Sequence, residues 1–90
     1  MEQRTDWNFV GPQVRRLRVE RGWTQEVLAA KCQVQGIPLT RGTLAKIEAG
    51  IRGAGDFEIY TLARVLKVPL ETLFPRDMPQ RLKLAFSRSE

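Results

Sequence analysis

Through the first three-quarters of the chain, apolar residues recur three and four positions apart and never settle into alternation, which predicts helices and no strands. A first helix is expected from about Val10 to Arg21, with Pro12 tolerated in its first turn and Val10, Val14 and Leu17 on one stripe. Gly22 is a natural stop. Thr24 then caps a second helix, with Trp23 and Leu28 placed as a hydrophobic staple and Leu28, Ala29 and Cys32 on one face. A connector, Gln33 to Leu39, precedes a third helix that Thr40 caps and Gly50 ends. Leu39 and Leu44 suit a second staple. After a glycine-rich loop, Asp56 is expected to cap a fourth helix that aligns Ile59, Leu62, Ala63 and Leu66. Lys67-Val68-Pro69 turns the chain into a short fifth helix, Leu70 to Phe74.

This pattern divides the chain into an N-terminal arm (1–9), a helical domain (10–75) and a basic C-terminal tail (76–90). Ninety residues leave room for one domain and none for a separate ligand-binding unit. No apolar run approaches the ~20 residues of a membrane helix, and the first residues lack the apolar core of a signal peptide. A cytoplasmic protein is the expectation.

Composition narrows the chemistry. With no His and one Cys, the chain has no Cys–His nucleophile, no His/Cys zinc site and no internal disulfide. It also lacks a glycine-rich phosphate loop and a carboxylate pair free of caps and charge partners, so no enzyme, metal or cofactor is expected. Fifteen Lys and Arg against ten Asp and Glu give a net charge of +5, and most of these bases are Arg, the side chain suited to forked contacts with phosphate and guanine.

The third helix concentrates this signal. At ~100° per residue, Thr40, Thr43, Leu44 and Ile47 fall on a core-facing arc, and Arg41, Gly42, Ala45, Lys46 and Ala49 on the opposite one. The outer arc carries two cations, no acid, and otherwise only Gly and Ala. A face that serves only solubility mixes signs and uses longer polar residues. Small residues between two bases suit close approach to a polyanion such as duplex DNA, whose major groove admits one helix.

Three stretches, VGPQVRRLRVERGWTQEVLAAK, TRGTLAKIEAG and DFEIYTLARVLKVPLETLF, carry a more specific pattern. In this order and spacing the chain resembles the Cro/C1-type (XRE-like) helix-turn-helix family of bacterial and phage regulators. The resemblance implies an all-α, compact five-helix lambda-repressor-like domain, with an optional short extra helix at the C-terminus. It further implies a sequence-specific transcriptional regulator, a repressor by preference, working in the cytoplasm at the nucleoid on double-stranded DNA as a homodimer. Thr40, Arg41, Gly42 and Lys46 match positions facing base edges, and Gln25, Thr43 and Arg52 match positions near phosphates. Arg18 and Glu48 match a structural salt bridge between the first and third helices. The dimer surface is expected around Leu73, Phe74, Leu82, Leu84 and Phe86, the alternative for Pro79–Phe86 being a C-terminal helix that frays or packs on the domain.

Two departures from the family pattern stand out. The segment from Ala29 to Leu44 is about five residues longer than usual, so either the second helix continues or the turn becomes a loop. Lys67 stands where relatives place Gly. The competing reading is an antitoxin or other interaction module of the same fold, for which the apolar tail and the aromatic Trp7 and Phe9 would meet a protein partner.

Overall fold

A computed structural model of the chain describes residues 9–86. The stripe of Val10, Val14 and Leu17 is buried along α1 (Val10–Glu20), which Gly22 ends with φ +72°. Two reverse hydrogen bonds close that end, from Gly22 N–H to Val19 O (2.9 Å) and Trp23 N–H to Arg18 O (3.2 Å). Thr24 Oγ1 then accepts the Val27 N–H at 3.1 Å and starts α2 (Gln25–Val34).

The longer second connection resolves into both of its alternatives. α2 takes in Gln33 and Val34, then stops through Gly36 at φ +98°, with Ile37 N–H bonded to Cys32 O at 3.2 Å. The remaining residues lead to Thr40 through buried Leu39. Gln33 Nε2 donates to Leu39 O at 2.7 Å, which ties this connector back to α2. Thr40 Oγ1 accepts the Thr43 N–H at 3.1 Å and opens α3 (Arg41–Glu48), which Gly50 ends at φ +78°.

The fourth helix departs from expectation at its start. α4 spans Asp56–Leu66, and its cap residue is Gly55 rather than Asp56. Glu58 Oε1 reaches back to accept the Gly55 N–H at 2.9 Å, the reciprocal half of a capping box, and this leaves Asp56 in the first turn, where its charge suits the helix dipole. At the other end Lys67 adopts the left-handed conformation (φ 59°, ψ 49°), at a cost of about 1 kcal/mol relative to glycine.

The expected fifth helix is a single 3-10 turn, Leu70–Leu73, and the tail forms a further helix, α5 (Met78–Phe86). There are no strands among the described residues. Leu73 is fully buried and so is not surface available for a dimer, because the 3-10 turn swings it inward to close the base of the core, while Phe74 is half-buried. Leu82 and Leu84 are exposed, while Trp7 and the side chain of Phe86 lie outside the described residues. Cys32 is fully buried in the core, and burial, reinforced by the Glu58 charge, pushes its thiol up to about 11, so it stays protonated and inert at neutral pH.

Two contacts set how α1 lies across the rest. Gly11 is buried where α1 crosses the end of α3, and a Cβ added there would overlap the Ile47 carbonyl oxygen and sit 3.1 Å from that of Glu48. Arg21 donates to Leu17 O (2.9 Å) and Leu66 O (2.6 Å), fastening the end of α1 to the end of α4. Helix α3 is thus wedged against α1 and α2, and its orientation is fixed by backbone proximity as well as by side chains.

Candidate nucleic-acid interface

Leu44, Ile47 and Glu48 are buried on α3, whereas Arg41, Gly42, Lys46 and Ala49 are exposed. Thr43 and Ala45 lie at the margins, half-buried. Thr40 is exposed rather than on the core arc, because a cap residue lies outside the helical spiral. Its hydroxyl is engaged locally, accepting the Thr43 N–H and donating to Thr43 Oγ1 at 3.1 Å. Neither the Arg41 nor the Lys46 side chain has a hydrogen bond or ion pair with any described residue.

Behind this face sits a charged network. Arg18 Nε donates to Glu48 Oε2 at 2.7 Å and Nη2 to Oε1 at 3.0 Å, a forked pair whose side chains are 11% and 2% exposed. Glu48 holds the Arg18 proton more firmly than in a free arginine, and Arg18 Nη1 also donates to Trp23 O at 2.8 Å. Gln25 Nε2 donates to Glu48 Oε1 at 3.0 Å. A carboxylate only accepts, so the Gln25 amide must turn its nitrogen inward, which leaves its second N–H for a partner outside. One buried acid therefore joins α1, the start of α2 and the end of α3.

Arg52, expected near a phosphate, is also engaged by the protein itself. Its guanidinium forks onto Glu58 at 2.9 and 3.0 Å and also donates to Gly53 O at 3.0 Å. Arg52, together with the Gly55 N–H, holds the Glu58 carboxyl below the ordinary 4.5. This pairing was missed in the sequence because the two residues belong to different elements. The only sequence signal was Glu58 three residues beyond Gly55, the spacing of a capping box.

No group of three or more potential metal ligands occurs among the described residues, and no described helix is long and apolar enough to cross a membrane. What α2, the connector and α3 form is a helical pair whose second member turns a small, cationic face outward. A family model for the helix-turn-helix matches residues 14–73. The chain belongs to the helix-turn-helix family. Its fold is also similar to the crystal structure of the restriction-modification controller protein C.AhdI from Aeromonas hydrophila, with a TM-score of 0.64 and 31% sequence identity. That likeness covers 72% of this chain and 91% of the other. No curated protein matches the chain. This helix-turn-helix protein is a DNA-binding transcriptional regulator, and its family points to DNA binding rather than catalysis.

Proposed function

We propose that this regulator reads DNA sequence by laying α3 in the major groove, and that it acts as a repressor. The observation that carries the reading is the outer face of α3, where the Arg41 and Lys46 side chains stand exposed, and without partners among the described residues, on either side of Gly42 and Ala45. Arg41, in the first turn, is the candidate for a forked bond to guanine O6 and N7, with Thr40 and Lys46 beside it. The free N–H of Gln25 and the hydroxyl of Thr43 serve phosphates, and Arg52 does so while keeping Glu58.

Gly42 supports this reading through what the fold does not ask of it. A Cβ there would meet only Thr40 Oγ1, at 3.9 Å, so neither packing nor backbone conformation demands glycine. Glycine inside a helix costs about 1 kcal/mol relative to alanine. Gly42→Ala is therefore expected to raise stability by up to about that amount in urea unfolding while weakening DNA binding. A variant that binds as tightly as the wild type would remove close approach as the reason for this glycine.

Action as a homodimer belongs to the same proposal, since one such domain spans too few base pairs for useful specificity and half-sites repeat about one helical turn apart. Among the exposed apolar side chains of the described residues are Phe57 and Tyr60 on α4 and Leu82 and Leu84 on α5. The test is selection of bound sequences from random duplexes at moderate salt, for the wild type and Arg41→Ala. The wild type should enrich an inverted repeat containing a guanine whose preference disappears in Arg41→Ala, a loss of about 1–3 kcal/mol of discrimination. If no motif is enriched, sequence-specific reading is wrong, and a second protein copurifying with the chain would favour the antitoxin reading.

A further inference from the structure

Most arginines of the described residues are engaged by the protein itself. Arg16 pairs with Glu20 at 2.8 Å, Arg18 with Glu48, Arg52 with Glu58, Arg81 with Asp77, and Arg64 lies over the Tyr60 ring. Arg15 is exposed and has no hydrogen bond or ion pair among the described residues. The helix explains why. Its neighbours three and four positions away are Gly11, Pro12, Arg18 and Val19, none of which offers a side-chain acceptor. Nothing in the fold calls for a cation there.

The surroundings of Arg15 give that cation a use. It lines an open polar groove with Arg18, Thr24, Gln25, Glu26 and Arg41, where α1 meets the start of α2 and the start of α3. Arg18 is neutralised by Glu48, so the groove keeps two unpaired cations against the single acid Glu26. Gln25, with one amide N–H still to place, lines the same groove. The groove therefore continues the α3 interface onto α1 and remains positive along the way.

We infer that Arg15 is a DNA contact supplied by α1, holding a backbone phosphate of the strand that passes the start of α3. The inference rests on the reading that α3 enters a duplex. It adds to that reading a third element that grips the backbone and carries no sequence information. Because the Arg15 side chain makes no bond with any other described residue, removing it should leave the fold intact while lowering DNA affinity and the steepness of its response to salt.

The experiment measures binding of the full chain to a selected duplex and to a scrambled one between 50 and 200 mM salt, for the wild type, Arg15→Ala, Arg15→Lys and Arg16→Ala. Each phosphate neutralised contributes about 0.9 to the slope of log affinity against log salt. Arg15→Ala should lose that increment on both duplexes, so that its deficit against the wild type shrinks about 3.5-fold across this range, with an unchanged thermal midpoint. Arg15→Lys should keep the slope. So should Arg16→Ala, which removes the same charge from the neighbouring position outside the groove. A wild-type slope in Arg15→Ala, or an equal loss in Arg16→Ala, would overturn the inference while leaving the α3 reading in place. A wild type that binds neither duplex would instead defeat the α3 reading, and this inference with it.

Discussion

Gly11→Ala is expected to lose about 3 kcal/mol of stability, enough to lower the melting temperature by well over ten degrees in a domain of this size. The added methyl has no room. It would overlap the Ile47 carbonyl oxygen and stand 3.0 Å from the carbonyl carbon, both backbone atoms of α3 that cannot rotate aside. Overpacking typically costs ~1–3 kcal/mol where side chains can adjust, and a clash between two backbones belongs at or beyond the top of that range. The ~1 kcal/mol that alanine gains in helix propensity offsets only part of it. Urea and thermal unfolding measure the effect directly. The helices that must part are α1 and α3, so DNA affinity should fall even where most molecules remain folded. A melting temperature within a few degrees of wild type would show that α1 does not lie against α3 as described.

The second large effect concerns the buried acid. Glu48→Ala is expected to cost about 3–5 kcal/mol, because it strands the Arg18 guanidinium in a largely buried position and removes the acceptor of Gln25. Arg18→Ala should cost a similar amount for the mirrored reason. Replacing both partners with apolar side chains of similar volume, Arg18→Met with Glu48→Leu, should restore much of the loss, since neither charge then needs a partner. The double variant should still bind DNA poorly, because Gln25 is no longer held. Denaturant unfolding of Arg18→Met, Glu48→Leu and their double closes the cycle. Single costs below about 1 kcal/mol, or a double cost equal to their sum, would mean that the pair is not the coupled unit seen here.

Much of this architecture was legible because its signals are local. Thr24 and Thr40 start helices, Gly22 and Gly50 stop them, and each acts within four residues of its own position. The inward and outward arcs of α3 follow from periodicity, apart from Thr40, which precedes the helix, and Thr43 and Ala45, which lie half-buried at the margins. The misreadings have their own physical causes. Asp56 and Gly55 are both acceptable caps, and the choice falls to Gly55 because Glu58 accepts its N–H while Arg52 steadies the carboxylate. Leu73 looked available for a dimer because a four-residue 3-10 turn is too short to reveal which side it buries. Gly11 carried no local sign of its role, since a close crossing is visible only once the crossing helix is known. The long connector stayed ambiguous for the same reason. Its length is shared between α2 and an extended stretch whose path is set by burial of Leu39 and the Gln33 bond.

The central claim, that the outer face of α3 meets DNA, is tested most directly by following backbone amide signals in NMR as a selected duplex is added to the full chain. The largest shifts should fall on Arg41, Gly42, Ala45 and Lys46, with Gln25 moving alongside them. Shifts centred on Phe57 and Tyr60 of α4, with α3 unmoved, would contradict it.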